Sequence, residues 1–138
     1  MNTKLVPFEG QYAADIVHIR RRVFVEEQGV DEMIDFDGRD EAAAQVLVYQ
    51  DDQAIATARM LDDGHIGRIA VLKTHRKLGA GRCALIALIK NAREKKLEKV
   101  YLGSQTHAAG FYLKYGFNIC GDVFMEAGIE HVEMELYL

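Results

Sequence analysis

The amino-acid sequence predicts an α+β fold, in which a mostly antiparallel sheet carries helices on its faces. Short apolar, strand-like runs are frequent along the chain, and several are joined by tight turn signals such as Asp51-Asp52-Gln53 and Asp62-Asp63-Gly64. Helical patterns lie between some of these runs. The resulting order, β-α-β-β-β-α-β-α-β-β, indicates an α+β sheet covered by helices.

The first elements are a strand and a long helix. A strand is predicted at residues 4–8, where Pro7 points to an edge position because proline cannot donate to a strand ladder. A helix is predicted at residues 13–27 from apolar residues at helical spacing, namely Ile16, Ile19 and Val23. Gly29 ends that helix, and the acidic stretch up to residue 40 is expected to be a loop.

The remaining elements complete the sheet. Three strands in series are expected at residues 46–49, 54–61 and 65–72. A stripe of apolar side chains predicts the second long helix at residues 82–95. A strand at 100–103, a short helix at 108–115 and two final strands at 117–125 and 131–138 follow.

Composition and charge narrow the classes of function. With 138 residues, 49% hydrophobic and 28% charged, the chain is expected to form one domain over residues 1–138. The formal net charge of −4 disfavours nucleic acid or an anionic membrane as a partner. Apolar runs are shorter than the ~20 residues that span a bilayer, and the first residues lack a secretory signal. A cytoplasmic protein is therefore expected.

Cysteines and histidines give no sign of a metal centre. The two cysteines, Cys83 and Cys120, are expected to be buried thiols, and a structural disulfide is disfavoured. The five histidines are scattered without the spacing of metal ligands. No metal is therefore predicted.

A glycine-rich turn between a strand and a helix is the strongest functional signal. Residues 69–81 run from an apolar segment through a basic loop into an R-x-x-G-x-G turn formed by Arg76, Gly79 and Gly81. Glycines allow a sharp turn and a close backbone approach to a ligand. The first N–H groups of the following helix lack internal partners and favour an anion. This pattern predicts a phosphate cradle; a glycine-rich connector with solvated basic side chains is the alternative.

A second signature follows about one helix and one strand later. It reads Gln105-x-x-Ala108-x-x-Phe111-Tyr112-x-Lys114-x-Gly116-Phe117. With both signatures, the chain resembles the GNAT superfamily of acyl-CoA-dependent N-acetyltransferases along nearly its whole length. Finer features resemble the ElaA-like branch: Arg22-x-Phe24-Val25-x-Glu27-Gln28, Ile66-Gly67-Arg68, the segment 101–105 and the segment 127–131. The chain departs from that branch at Gln45, where histidine is usual, and at Glu130, where proline is usual.

The resemblance implies a three-layer α/β/α fold with a splayed pair of strands, and acetyl-CoA as co-substrate. Backbone groups of the strand before the turn would pair with the pantetheine arm, and Gln105 would contact it or join the splayed strands. Helix N–H groups and basic side chains would hold the pyrophosphate. The residues implied for this binding are Ile69, Ala70, Val71, Arg76, Lys77, Leu78, Gly79, Ala80, Gly81, Arg82 and Gln105.

The resemblance also implies catalytic roles. Tyr112 would be the general acid that protonates the departing thiolate, because a phenol is protonated at neutral pH, and Tyr115 is the reserve candidate. The general base stays open among His107, His131 and Glu27. For each of these residues, a structural role is the alternative.

The first helix and its following loop would close over the amine acceptor through Arg22, Glu27 and Gln28. Arg22 is expected to be buried against a carboxylate, although a solvated face is the alternative. The function implied is acetyl transfer to a primary amine of a small molecule. A protein or peptide amine as acceptor, and a CoA-binding module without turnover, are alternatives. A homodimer is an open question.

Overall fold

Seven strands and four helices make up the protein, as described for residues 1–138 by a computed structural model. The strands are β1 (Asn2–Val6), β2 (Ala44–Gln50), β3 (Gln53–Met60), β4 (Ile66–Val71), β5 (Lys99–Gln105), β6 (Asn118–Glu126) and β7 (Ile129–Tyr137). The helices are α1 (Gly10–Arg20), α2 (Glu32–Asp35), α3 (Ala80–Glu94) and α4 (Ala109–Leu113). The predicted order of elements is confirmed, and the short helix α2 lies in the stretch expected to be a loop.

The sheet is split between β4 and β5. One part has the strand order β1-β2-β3-β4 and the other the order β5-β7-β6, with every pairing antiparallel. The two parts meet only at a parallel bridge between His65 and Tyr101, where the Tyr101 N–H donates to the Gly64 carbonyl at 3.0 Å. Beyond that bridge the two strands diverge, as expected for a splayed pair.

Gly64 makes this junction possible. Its backbone has a φ of +94°, which side-chain-bearing residues rarely adopt, and a Cβ there would lie 2.5 Å from the Lys99 carbonyl oxygen. Only glycine therefore fits at the point where the two parts of the sheet touch.

Helices cover both faces of the larger part of the sheet. Alternation along β2 sends Val46 and Val48 into one core and Leu47 into the other. The first core is shared with α3, which buries Leu85 and Leu88 against it. The second is shared with α1; its buried members are Val6, Ile16, Ile19, Val23, Leu47, Ala70 and Leu72. This arrangement is the predicted three-layer fold.

The first helix changes its winding near its end. The α-helical part stops at Arg20, and Arg21–Glu27 form a wider π-helical segment in which the Gln28 N–H donates to the Val23 carbonyl five residues earlier, at 3.2 Å. Such segments are rare and concentrate at functional sites. This one directs Phe24 and Gln28 toward the gap between β4 and β5.

The prediction of buried thiols is wrong for one cysteine. Cys83 is half-buried, whereas Cys120 is exposed. Cys120 lies on β6, which is an edge strand with most of its side chains in solvent. Among the helices, none is both long enough and apolar enough to cross a membrane.

Candidate active site

A cavity of about 330 Å³ opens where β4 and β5 diverge. Its walls come from β4, β5, the π-helical segment and its following loop, and the β6–β7 hairpin. The polar and ionisable side chains that line it are Gln28, Asp35, Arg59, His65, Arg68, Gln105, Tyr112, Glu126, His131 and Glu133. Of the residues predicted for the site, it brings together Gln28, Ile69, Gln105, Tyr112 and His131.

Tyr112 reaches the cavity from α4. Its ring packs edge-on against Phe111 and Phe117, with centroids 5.1 and 5.9 Å away. Burial raises the pKa of Tyr112 to about 12, since a phenolate would lose its hydration there. The hydroxyl therefore keeps its proton at neutral pH. Tyr115 does not line the cavity and instead packs against Phe111.

His131 lies on β7, between Gln105 of β5 and Phe124 of β6. Its Nδ1 is 2.7 Å from the Ile129 carbonyl oxygen, and because a carbonyl can only accept, Nδ1 is the nitrogen that carries the hydrogen. In that tautomer Nε2 carries no hydrogen, and it lies 3.6 Å from Glu126 Oε2. The buried imidazole thus presents an acceptor nitrogen on the cavity side of the hairpin.

His65 also lines the cavity, although it was not predicted as a site residue. Its ring stacks on Tyr101 with centroids 4.7 Å apart. Burial lowers the pKa of His65, which favours the neutral ring at neutral pH. From the sequence, His65 could be placed only at the start of a predicted strand. That position does not reveal the neighbouring strand β5, beside which His65 lines the cavity.

His107 does not belong to this group. It lies in the single turn Thr106–Ala108 after β5, is exposed, and does not line the cavity. As a candidate base it is placed too far into solvent to face the other catalytic candidates.

The buried arginine of the first helix is Arg20, so the expectation for Arg22 is wrong. Arg20 is 1% exposed, donates to Asp40 at 2.5 Å and to the Asp35 carbonyl at 2.6 Å, and stacks on Phe36. Arg22 is 61% exposed and lies 4.0 Å from Glu26. Residues two positions apart on a helix are rotated by about 200° around its axis. Arg20, which follows the buried Ile19, therefore faces the interior, whereas Arg22 faces solvent.

Two further arginines extend this cluster to the cavity, and sequence reasoning missed both. Arg59 binds Asp37 at 2.6 Å and Asp40 at 3.0 Å, and these bonds hold the pKa of Asp37 well below its usual range. Arg68 contacts Asp35 at 3.2 Å and Asp37 at 3.3 Å. The signal for Arg59 was a charge within an apolar strand, which requires a buried partner; the aspartates that supply it lie about 20 residues earlier.

Gln45 stands where the ElaA-like branch usually has histidine, and it hydrogen-bonds one aspartate of this cluster. It is 1% exposed, and its Nε2 donates to the carbonyl and carboxylate oxygens of Asp40 at 3.0 and 3.2 Å. Gln45 does not line the cavity. The departure from histidine at position 45 therefore affects a residue that holds Asp40 in place and not a residue that lines the cavity.

The edge of β4 that faces the gap carries free backbone groups. The Leu72 N–H donates to the Ile55 carbonyl of β3 at 2.9 Å, so strand alternation turns the Val71 N–H toward the gap. Ile69 lies on the cavity wall. The same alternation directs the backbone of Ala70 to its partner Thr57 on β3, so Ala70 is not available for the pantetheine pairing expected of it.

The glycine-rich turn leads from this edge into α3. Lys77 and Gly79 adopt positive φ values of +66° and +90°, and α3 begins at Ala80 without a side-chain cap. The N–H groups of Ala80, Gly81 and Arg82 therefore have no helical acceptor. Leu78 is 50% exposed, and the residues of the turn lie outside the cavity, beyond the carboxyl end of β4.

Glu27 joins the turn and not the acceptor cavity, which corrects its expected placement. Its two carboxylate oxygens accept from Arg76 Nη1 and Nη2, each at 2.6 Å, and Arg76 Nε donates to the Val71 carbonyl at 3.1 Å. Arg76 lowers the pKa of Glu27, so this carboxylate is ionised at neutral pH. Glu27 is therefore poorly suited to remove a proton from an amine.

Gln28 and Gln105 connect the two sides of the cavity. Gln105 Nε2 donates to Gln28 Oε1 at 2.9 Å, which ties the end of β5 to the loop after the first helix. This hydrogen bond therefore joins Gln105, which was predicted to contact the cofactor, to Gln28, which was predicted to contact the acceptor.

Similarity to known proteins decides the family. Residues 12–138 match the acetyltransferase (GNAT) domain family. The chain belongs to the GNAT acetyltransferases. It is 41% identical over 140 residues to the protein YyaT of Bacillus subtilis, covering 97% of this chain and 94% of that protein.

Solved GNAT structures share the whole fold. The structure of Escherichia coli ElaA has a TM-score of 0.89 and 26% identity, with 99% of each chain covered. An acyl-CoA N-acyltransferase of Pseudomonas aeruginosa has a TM-score of 0.88, 26% identity and the same coverage. The resemblance to the GNAT superfamily and to ElaA is thus confirmed, and the chain is an acyl-CoA-dependent N-acyltransferase.

Proposed function

We propose that this GNAT enzyme transfers an acetyl group from acetyl-CoA to a primary amine of a small molecule. The observation that carries the proposal is one cavity that joins a protonated phenol, a histidine acceptor nitrogen and the free edge of β4. Its volume of about 330 Å³ lies at the small end of ligand pockets. A small acceptor fits that space better than a folded protein surface does.

The residues of the turn fit the CoA pyrophosphate. Free N–H groups at the start of α3 point a partial positive charge at an anion. Arg76 and Lys77 are both exposed beside them and add full positive charges. Arg76 already binds the carboxylate of Glu27 in a bidentate manner, which supports a contact of the same kind with the pyrophosphate.

The free edge of β4 supplies the next contacts. Ile69 and Val71 would hold the pantetheine arm as an added strand is held, because their backbone groups face the gap. When bound, acetyl-CoA supplies the acyl group as an activated thioester. The Val71 N–H would donate to the acyl oxygen as negative charge develops there.

Proton movement is assigned to two side chains. Tyr112 holds a proton on its hydroxyl and would deliver it to the sulfur of the leaving group. His131 would remove a proton from the amine at Nε2, the nitrogen left free by the bond from Nδ1 to Ile129. Among His107, His131 and Glu27, only His131 lines the cavity.

Release of free thiol from acetyl-CoA in the presence of a panel of small amines, amino sugars, amino acids and peptides tests the proposal. Turnover with a small amine is expected. Binding of CoA without turnover of any acceptor would instead support a binding module, and turnover confined to peptides would support a peptide or protein acceptor.

Glu27→Gln is expected to strengthen CoA binding by a factor of about 1.5 to 5. The reason is that the neutral amide no longer competes with the pyrophosphate for Arg76, and a half-exposed ion pair is worth about 0.2–1 kcal/mol. Titration calorimetry with CoA measures the change. Glu26→Gln, on the neighbouring exposed pair with Arg22, is the control. Weaker binding in Glu27→Gln would mean that the ion pair shapes the turn for CoA.

The pH dependence of kcat is expected to show no alkaline limb below about pH 11. Because burial raises the pKa of Tyr112 to about 12, the acid stays protonated throughout the alkaline range. Rates measured at saturating acceptor from pH 6 to 10.5 check this. A decline that begins near pH 9 would contradict the role of Tyr112.

A further inference from the structure

Arg68 differs from the other two arginines of the buried cluster in how far it reaches the cavity. Its side chain is 24% exposed, compared with 1% for Arg20 and 5% for Arg59. It forms part of the cavity wall on β4. Arg59 also lines the cavity, but Arg68 is the more exposed of the two and is therefore the cation of the cluster that a ligand reaches most easily.

Arg68 shares both of its aspartates with the other arginines of the cluster. Its Nε lies 3.2 Å from Asp35, and its Nη2 lies 3.3 Å from Asp37, while Nη1 makes no hydrogen bond. Asp37 lies closer to Arg59, at 2.6 Å, and Asp35 also pairs with Arg20, at 3.3 Å. Burial and the nearby charge of Arg59 lower the pKa of Arg68, which means that its positive charge is under-compensated.

The backbone holds Arg68 in this position at a cost. Its φ is +54°, within a strand, where the register between β3 and β4 shifts at a bulge. A non-glycine residue in that region is strained, and such strain concentrates at ligand sites. Bulges re-aim side chains, and this one places a guanidinium on the cavity wall.

The opposite wall is acidic. Glu126 and Glu133, on β6 and β7, line the cavity together with His131. The negative charge of Glu126 raises the pKa of His65 and the positive charge of Arg68 lowers it, so His65 is affected by the charges of both walls. The cavity therefore offers a cation at one end and carboxylates with a proton acceptor at the other.

We propose that the acceptor is a primary amine that also carries a carboxylate, such as a small amino acid. The carboxylate binds the Nη1 side of Arg68, and the amine lies toward His131 Nε2 and Glu126. The cavity of about 330 Å³ limits the acceptor to a small molecule. This inference rests on the proposed amine acetylation and specifies its substrate class.

Three matched acceptors test the proposal: an amino acid, its primary amide and the corresponding amine without the carboxyl group. The amide lowers the basicity of the amine and the decarboxylated compound raises it, so the two neutral acceptors bracket the effect of basicity. The wild type is expected to prefer the amino acid in kcat/KM. Arg68→Gln should lower that preference about 10- to 150-fold, the worth of a hydrogen bond to a charged group.

Two variants keep the result interpretable. Arg68→Lys retains the charge without the planar fork and should lose less of the preference. Arg93→Gln removes an exposed arginine at the far end of α3 and should keep the preference of the wild type. Thermal melting of each variant reports whether the fold persists.

Direct binding separates this inference from the proposed reaction. Calorimetric titration of the amino acid into the CoA-loaded protein needs no turnover, and binding that Arg68→Gln weakens supports the inference even if no acceptor is acetylated. A wild type that prefers a neutral acceptor, or an Arg68→Gln variant that loses activity equally toward all three, would overturn it.

Discussion

Replacing Tyr112 by phenylalanine is expected to lower kcat for acetyl transfer by about 10²-fold, the scale of general acid–base catalysis. The change removes one oxygen and leaves the ring, whose contacts with Phe111 and Phe117 hold α4 against the core. Stability and CoA affinity should therefore change little. Steady-state release of thiol at saturating acceptor measures kcat, and calorimetry measures CoA affinity.

Tyr115→Phe is the matched control, because Tyr115 lies three residues after Tyr112 but outside the cavity. It should keep most of the activity. If Tyr115→Phe lost 10²-fold and Tyr112→Phe did not, the proton donor would be Tyr115. Because the pKa of Tyr112 is high, its hydroxyl stays protonated at neutral pH, but full transfer of that proton to a thiolate is less favourable. Its contribution then includes a hydrogen bond that stabilises the leaving sulfur.

Gly81→Val is expected to weaken CoA binding by about 10²-fold or more while the protein stays folded, because displacing the phosphate loses one or two hydrogen bonds to a charged group. A Cβ at Gly81 would meet only the Val71 side chain, at an ordinary 3.6 Å, so the fold can accept it. The same atom would lie between the N-terminus of α3 and Val71 at the end of β4, next to the proposed pyrophosphate site. Calorimetry with CoA and thermal melting measure the two effects.

Gly110→Ala controls for a change of glycine within a helix, because a Cβ there meets nothing within 4 Å. Its CoA affinity should match the wild type, and Gly81→Ala should fall between wild type and Gly81→Val. Unchanged affinity in Gly81→Val would contradict the phosphate cradle at the start of α3.

The strand, turn and helix proposed to hold the cofactor were predictable because their conformation is determined locally. Glycines, a helix start and a preceding strand lie within residues 69–82, and their backbone conformations follow from residue type. The positive φ of Gly79 and the uncapped start of α3 agree with that reading. Ala70 is the exception, since which edge of β4 its backbone faces depends on the pairing with β3.

The acceptor side was predictable only in part. Its wall combines β4, the loop after the first helix and the β6–β7 hairpin, which are distant in sequence. Gln28 and His131 were found through the branch resemblance; Arg68 was part of a branch motif but was given no role, and His65 was not singled out. Arg22 was chosen for burial although the helical rotation places Arg20 on the buried face. A sequence motif does not show which of the three consecutive arginines, Arg20, Arg21 and Arg22, has a buried side chain.

The amino-acid sequence alone determined the order of strands and helices, the glycine-rich turn before α3 and the membership of the GNAT superfamily, because each depends on local pattern or on a continuous signature. Packing of distant segments settled the rest: the divergence of β4 and β5 beyond Gly64, the pairing of Glu27 with Arg76, and the cavity with Arg68 at one wall and His131 at the other. These depend on charges and surfaces that meet only after the chain has folded, so no stretch of residues records them.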